Sequence, residues 1–205
     1  MIAIVDYGLG NIGSVAHMLR HIGADCTFAS TVEEIEKADA LILPGVGAFD
    51  YAMDVLHRKG FVQPLRRQAL DRKIPILGIC LGMQLLASRS EEGNATGLEL
   101  IDAEFLKFRP EPGTTLKVPH MGWNAVTAVR DNPLIASTEE EQRFYFVHSY
   151  YARTKYPSDD IATCNYGVQF VAAYGRDNVF GVQFHPERSH KFGMSVLKSF
   201  ATLAC

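Results

Sequence analysis

The first half of the chain alternates short apolar runs with segments of helical periodicity, and this alternation restricts the fold more than any other feature. Apolar runs at residues 2–5, 41–43 and 76–79 are each followed by apolar residues at helical spacing. Buried strands that alternate with helices form a mostly parallel sheet that is covered on both faces. The sequence therefore predicts an α/β fold with a mostly parallel central sheet flanked by helices. We expect Pro44 and Gly45 to end the strand at residues 41–43.

The pattern changes after about Ile101, where strand-like runs are separated by Gly, Asn or Asp turns. These runs cover residues 144–147, 162–164, 170–174 and 179–184, and a last helix is expected over about 194–203. Short strands joined by such turns pair as antiparallel hairpins. We therefore expect an antiparallel extension of the parallel sheet. Because no repeat or linker interrupts the chain, we predict one domain over residues 1–205.

The composition excludes several classes of partner. With 20 Lys and Arg against 23 Asp and Glu, the chain has no basic surplus for a nucleic-acid backbone. No apolar run approaches the ~20 residues of a membrane span, and the N-terminus lacks the basic segment of a signal peptide. We therefore expect a cytoplasmic protein with no nucleic-acid or membrane partner. In that compartment the four cysteines should be free thiols. No metal is predicted, because no cysteine pair has CxxC spacing and His120 and His148 are not at metal-ligand spacing. We expect these two histidines to have interface or packing roles.

Residues 8–13 fit the GxGxxG pattern of dinucleotide-binding proteins, since they follow a strand and open a helix. A dinucleotide site also requires an acidic residue about 20 residues further on, at the end of the second strand. That position falls near Ser30, whereas Asp25 comes too early and Glu33 lies in the next helix. We interpret the glycines as a tight strand-to-helix turn and predict no cofactor.

Gly78-Ile79-Cys80-Leu81-Gly82 is a GxCxG motif at a strand-to-helix junction, which is the thiol form of a nucleophile elbow. The glycines leave room for a sharp turn that raises the Cys80 side chain above the sheet. A helix N-terminus behind the sulfur favours the thiolate. A lone cysteine is, however, more often a small buried side chain. The motif by itself leaves both interpretations open.

A second motif, at residues 181–187, ends an apolar strand with His185 and Glu187 two residues apart. Residues i and i+2 of an extended chain point to the same face. We therefore predict that His185 faces Cys80 while Glu187 fixes the imidazole tautomer and stabilises the imidazolium. The order of nucleophile, base and orienting carboxylate suits an α/β scaffold.

Pro44-Gly45-Val46-Gly47 follows a strand at the same predicted sheet edge as the elbow. Alone it would be an ordinary strand-to-helix loop. Next to a nucleophile, glycine backbone can turn an N–H group towards a developing oxyanion. We therefore predict the N–H groups of Gly47 and Leu81 as oxyanion donors.

These motifs, together with residues 119–124 and 145–150, resemble the class I (triad) glutamine amidotransferases, and within them the glutaminase subunits of imidazole glycerol phosphate synthases. The resemblance covers essentially the whole chain. It implies that Cys80 attacks the side-chain amide of glutamine and that ammonia is released. It further implies a heterodimer with a (β/α)8-barrel synthase subunit, which makes imidazole glycerol phosphate and an aminoimidazole carboxamide ribotide in histidine biosynthesis.

The resemblance also assigns further residues by their position in the family's motifs. It places glutamine recognition at Gln84, Glu92, Ser149 and Tyr150. It places partner contacts at Pro119, His120, Met121, Gly122, Trp123, Asn124 and Tyr145.

Three other functions stay open on the sequence. Similar subunits supply ammonia for sugar amidination in surface-polysaccharide biosynthesis, and residues 189–193 resemble that branch. A stand-alone cysteine hydrolase would use the same elbow and histidine. A binding subunit with a dead site is the non-enzyme alternative, against which the intact Cys80, His185 and Glu187 argue.

Overall fold

The computed structural model describes residues 1–111, 113, 115–138 and 140–204. The strands are β1 (Ile2–Val5), β2 (Cys26–Ala29), β3 (Ala40–Gly45), β4 (Ile76–Cys80), β5 (Arg89–Ser90), β6 (Ala103–Lys107), β7 (His120–Ala128), β8 (Gln142–His148), β9 (Tyr150–Thr154), β10 (Asp160–Asn165), β11 (Gln169–Arg176) and β12 (Val179–Val182). The α-helices are α1 (Ile12–His21), α2 (Val32–Lys37), α3 (Phe49–Arg58), α4 (Val62–Leu70), α5 (Leu81–Leu86) and α6 (His190–Leu203). Two 3₁₀ turns span Pro157–Asp159 and Pro186–Arg188.

The strands form one sheet with a parallel half and an antiparallel half. The parallel half has the order β2-β1-β3-β4-β12. The sheet continues through β11, β10, β7 and β8 in antiparallel pairing. A branch leaves it where β9 pairs with both β11 and β6, and β5 pairs with β6. The predicted mixed α/β fold, with a parallel sheet and an antiparallel extension, is confirmed.

Helices cover the sheet on both faces, which is why the central strands β1, β3 and β4 are buried at every position. On one face, α2, α3 and α4 place Ile35, Phe49 and Leu65 in the core. On the other face, α1 and α6 contribute Leu19 and Phe200. Each such side chain contributes roughly 1.5–3 kcal/mol when it is fully buried. No helix among the described residues is long and apolar enough to cross a bilayer.

The expectation that β3 ends at Leu43 is wrong, because the strand runs on through Pro44 and Gly45. β1 pairs with β3 only as far as Ile42, whereas β4 pairs with it as far as Gly45. Proline is tolerated in a strand where one side of the ladder is open. The extra length brings Gly45 opposite Cys80, so the loop after β3 starts beside the elbow.

Other boundaries also differ from the sequence prediction. α6 begins at His190, about four residues earlier than expected, and its N-cap Ser189 makes no side-chain cap. The Ser189 hydroxyl instead donates to the His185 carbonyl at 2.6 Å, so no capping signature marks the start of the helix. β12 ends at Val182, two residues before the predicted end at Phe184. Strands β5, β6, β7 and β9 were not predicted.

Candidate active site

The junction of β4 and α5 forms the strained turn that GxCxG predicts. Cys80 has φ 54° and ψ −109°, a left-handed φ that side-chain-bearing residues rarely adopt. A Cβ at Gly82 would lie 1.7 Å from the Leu43 carbonyl oxygen, and one at Gly78 would lie 2.6 Å from the Gly82 carbonyl oxygen. Both positions therefore require glycine, because α5 packs directly on the strand backbones.

The sulfur of Cys80 lies near two polar groups. Gln183, which is fully buried, directs its Nε2 amide at Cys80 Sγ over 3.7 Å. The Val147 carbonyl oxygen lies 3.9 Å from the same sulfur. Gln183 was not predicted as a site residue, and its place two residues before His185 was the only sequence signal for it.

His185 and Glu187 form a buried pair next to the elbow. Their side chains are 6% and 3% exposed, and His185 Nδ1 lies 2.8 Å from Glu187 Oε1. The contact is the predicted one, but the expected extended backbone is wrong. Glu187 lies in the 3₁₀ turn Pro186–Arg188, and the turn folds its carboxylate back onto the ring. The backbone N–H of His185 also donates to the Tyr145 carbonyl at 2.9 Å, which fixes the backbone position of His185.

Burial and the two neighbouring side chains have opposite effects on the charge of His185. Burial favours the neutral ring, but Cys80 and Glu187 together raise the pKa of His185 to about 10. His185 Nε2 itself has no hydrogen-bond partner among the described residues. The site therefore favours an imidazolium beside the sulfur at neutral pH.

One cleft of about 320 Å³ collects most of the predicted site residues. Its lining includes Gly47, Cys80, Leu81, Gln84, Glu92, Ser149, Tyr150 and His185. Val46, Pro119, Val147 and His148 complete it. Glu187 lies behind His185 rather than in the lining. The catalytic, oxyanion and glutamine-recognition candidates thus meet at one place, although they are spread along the chain.

The two candidate oxyanion donors come from the loop after β3 and from the elbow itself. Gly47 has φ +109°, in the region that favours glycine, and it follows β3 at the edge where Gly45 pairs with Cys80. Leu81 is the first residue of α5, so its N–H has no carbonyl partner within the helix. Both backbone segments line the same cleft as Cys80.

Gln84 and Glu92 present an amide and a carboxylate to the cleft. Gln84 is buried, and its Oε1 has no hydrogen-bond partner in the part of the chain that the structure describes. Glu92 Oε2 accepts a 2.9 Å hydrogen bond from the Phe49 N–H at the start of α3. Burial and the nearby Asp50 charge raise the pKa of Glu92, while the Phe49 N–H opposes that shift. These groups give the cleft a polar lining in addition to the sulfur.

The residues expected to contact a partner divide into an exposed set and a buried one. Met121 and Trp123 are 60% and 40% exposed. The Trp123 ring stacks on His190 at 5.2 Å and meets Tyr145 edge-on at 6.2 Å. Pro119 is also exposed, whereas Gly122, Asn124 and Tyr145 are half-buried.

His120 is placed differently from its neighbours in the predicted partner-facing set. It is only 2% exposed and lies inside an aromatic cluster, a position that matches the packing role also expected for this residue. Alternation along β7 turns His120 inward while Met121 and Trp123 face outward.

Cys26, Cys80 and Cys164 are free thiols, and Cys205 lies outside the described residues. Within residues 1–111, 113, 115–138 and 140–204, no cluster of three or more His, Cys, Asp or Glu side chains is arranged to hold a metal ion.

Comparison with known proteins gives consistent results along the whole chain. Residues 3–203 match the model of the family described as Glutamine amidotransferase class-I. The imidazole glycerol phosphate synthase subunit HisH 2 of Pseudomonas aeruginosa is 50% identical over 203 residues, covering 99% of this chain and 100% of that one. The subunit HisH of Leptospira interrogans is 44% identical over 204 residues, with the same shares covered.

Solved structures share the fold at low sequence identity. One described as a glutamine amidotransferase superposes with a TM-score of 0.75 at 17% identity, covering 100% of this chain and 99% of the other. A chain of PurLQS from Thermotoga maritima gives a TM-score of 0.74 at 19% identity, covering 98% and 97%. These two likenesses concern the architecture alone.

Proposed function

Because this chain belongs to the class-I glutamine amidotransferase family, we propose that it is the glutaminase subunit of an imidazole glycerol phosphate synthase. It hydrolyses glutamine to glutamate and ammonia, and the ammonia serves a partner subunit in histidine biosynthesis. One observation carries the chemical part: Cys80 and His185 line a single cleft, with Glu187 hydrogen-bonded to the far side of the imidazole. We assign this activity to one domain over residues 1–205.

The first half-reaction uses Cys80 as the nucleophile. Its thiolate attacks the side-chain amide carbon of glutamine, and the carbonyl oxygen becomes an oxyanion. The N–H groups of Gly47 and Leu81 stabilise that charge. His185, held as imidazolium, gives its proton to the departing nitrogen, so ammonia leaves and a glutamyl thioester remains on Cys80.

The second half-reaction returns the site to its starting state. The now neutral His185 removes a proton from water, and the hydroxide attacks the thioester carbon. Glutamate leaves as the bond to Cys80 breaks, and the imidazolium–thiolate pair forms again. Glu187 keeps the ring in one tautomer and stabilises its charge in both halves.

We assign recognition of glutamine to the polar side chains of the cleft. The Glu92 carboxylate and the unpartnered Gln84 Oε1 are acceptors that suit the α-ammonium group, and Gln84 Nε2 is a donor that suits the α-carboxylate. Ser149 and Tyr150 provide further backbone in the lining. An analogue that lacks either end group would leave these buried polar atoms unpaired, so the site discriminates strongly against it.

The partner subunit is proposed to be a (β/α)8 barrel that docks on the exposed face around Met121 and Trp123. Both side chains are large and exposed, and Trp123 is already held by stacking on His190. Pre-ordered aromatic side chains of this kind commonly anchor interfaces. Arg188 lies 4.9 Å over the Tyr145 ring and adds a charge at the rim. The cytoplasm stays the proposed location.

Replacing Gly47 with alanine should lower the kcat for glutamine hydrolysis by ~10²–10³. A Cβ at Gly47 would meet nothing within 4 Å, but φ +109° is strained for any L-residue. The peptide would therefore turn, and the oxyanion would lose a donor. Gly23→Ala is the matched control, because Gly23 also has a positive φ (+79°) and open space but lies at the end of α1. Equal kcat values for the two variants would contradict the role of Gly47.

The function as a whole is tested by purifying the chain with its bound partner and identifying that partner. We expect a barrel synthase, glutamate formation that rises strongly when the synthase ligand is added, and labelling of Cys80 by a chloroketone analogue of glutamine. Cys164 should stay unlabelled, because burial raises the pKa of its thiol to about 12. Glutamate formation at full rate without a partner would instead indicate a stand-alone hydrolase. A partner that amidinates a sugar would indicate the polysaccharide branch, and absence of labelling with the partner present would indicate a dead site.

A further inference from the structure

A pair of buried histidines, one of which lines the cleft, has no part in the chemistry described above. His120 on β7 and His148 on β8 are cross-strand partners in the sheet register. His120 Nδ1 lies 2.9 Å from His148 Nε2, and the two residues are 2% and 5% exposed. Phe146 stacks on His120 at 4.8 Å, and Tyr166 stacks on its ring at 3.9 Å. Two polar rings are thus enclosed by aromatic side chains.

The hydrogen bonds around the pair have only one possible direction. The Tyr150 carbonyl oxygen lies 2.7 Å from His148 Nδ1 and can only accept, so His148 donates from Nδ1. In a neutral ring the other nitrogen then accepts, and His148 Nε2 therefore takes the proton of His120 Nδ1. Burial lowers the pKa of His120 to about 4 and that of His148 to about 3, which keeps both rings neutral at pH 7.

Asn124 lies at one end of this series of hydrogen bonds, next to His120. Its Oδ1 accepts from the Ala125 N–H at 2.9 Å, and its Nδ2 donates to the Asn165 carbonyl at 2.9 Å. The same Nδ2 lies 3.5 Å from His120 Nε2, which is the acceptor in this tautomer. Each proton along the series from Asn124 to Tyr150 thus has one assigned donor.

The other end of the series is at Ser149 and Tyr150, where the polypeptide turns from one strand into the next and lines the cleft. At Ser149 the chain leaves β8, which pairs with β7, and enters β9, which pairs with β6 and β11. His148 spans this corner by its bond to the Tyr150 carbonyl, while the Phe108 N–H donates to the Ser149 carbonyl at 3.0 Å. His148, Ser149 and Tyr150 all line the cleft.

We propose that His120 and His148 are a positioning pair for glutamine binding. The fixed tautomers hold the Ser149–Tyr150 corner in the shape that accepts the substrate, and they anchor it to β7, the strand that carries the exposed Met121 and Trp123. This role deepens the proposed function and rests on it. Neither ring exchanges a proton with the substrate.

The test uses the complex with its synthase partner and measures glutamine-dependent and ammonia-dependent turnover. His148→Phe keeps an aromatic ring but leaves the Tyr150 carbonyl without its donor. We expect the KM for glutamine to rise about tenfold or more, with a smaller change in kcat and unchanged ammonia-dependent turnover. His148→Asn should recover most of the lost KM, because its Nδ2 can donate in place of Nδ1.

Two further variants separate positioning from packing. Phe170→Leu removes a ring that lies 5.2 Å from His148 and 5.9 Å from His120, but removes no hydrogen bond, so it should lower the Tm and leave the KM unchanged. His120→Phe should raise the KM less than His148→Phe does, and the two effects should not add in the double variant. An unchanged KM in folded His148→Phe, no recovery with asparagine, or an equal KM rise in Phe170→Leu would overturn the proposal.

Failure of this proposal can be told apart from failure of the proposed function. If the unmodified complex forms no glutamate from glutamine, the function is wrong. If the unmodified complex is active and the folded histidine variants keep its KM, only the positioning role is wrong. His148→Asn and His120→Phe keep the test decisive if His148→Phe does not fold.

Discussion

Cys80→Ala should reduce glutamine hydrolysis by about 10⁴-fold or more while leaving the ammonia-dependent reaction of the complex intact. Alanine removes the only atom that can form the glutamyl thioester, so no covalent route remains. The change is small in volume, and alanine meets the left-handed φ of 54° with the same Cβ as cysteine. The fold of the elbow should therefore survive. Steady-state rates with glutamine and with an ammonium salt measure the two activities separately.

Cys164→Ala is the matched control for this experiment. Cys164 is also a buried free thiol, but it lies on β10 outside the cleft. Its replacement should change neither reaction. If Cys80→Ala kept glutamine-dependent turnover within a few-fold of the unmodified complex, the covalent mechanism would be wrong. Parallel loss of the ammonia-dependent rate would instead indicate that the variant had damaged the complex.

The elbow could be predicted from sequence because its causes are local. Two glycines flank Cys80 at fixed spacing, and both are required by backbone contacts within the same strand–turn–helix unit and its neighbour β3. The contact between His185 and Glu187 was also predictable, since the two residues are two apart. Its geometry was not, because a 3₁₀ turn replaces the extended backbone there. Local spacing thus identified the partners better than it identified the conformation between them.

Features that depend on strand register could not be read from the sequence. His120 and His148 are 28 residues apart and meet only because β7 and β8 pair in one particular register. β7 itself lacks a clear apolar alternation, since Gly122 and Asn124 interrupt it, and so it was not predicted as a strand. Without the strand, nothing separated the inward His120 from the outward Trp123.

Glu187→Gln should lower kcat for glutamine hydrolysis by ~10³–10⁴, as expected when the orienting carboxylate of a triad becomes an amide. The glutamine side chain introduced at position 187 is nearly the same size as glutamate, so the packing around this buried side chain is kept. Its neutral amide no longer stabilises the imidazolium, and it can also donate to Nδ1 and so favour the wrong tautomer. The pKa of His185 should therefore fall, which an NMR titration of its ring measures directly. Asp159→Asn, at a buried carboxylate 3.1 Å from Arg176 Nε, should lower stability without changing kcat.

The raised pKa of His185 also predicts how the stability difference between the unmodified chain and Glu187→Gln changes with pH. In the folded protein the pKa of His185 is raised from 6.5 to about 10, so the folded state binds its proton more tightly than the unfolded state does. The stabilisation is fully present below pH 6.5 and is lost as the pH rises towards about 10. The free energy of unfolding of the unmodified chain should therefore exceed that of Glu187→Gln near pH 6.5, and the difference should shrink towards pH 10. A difference that stayed constant across this range, with an unchanged titration of His185, would mean that Glu187 does not hold the charge on the ring.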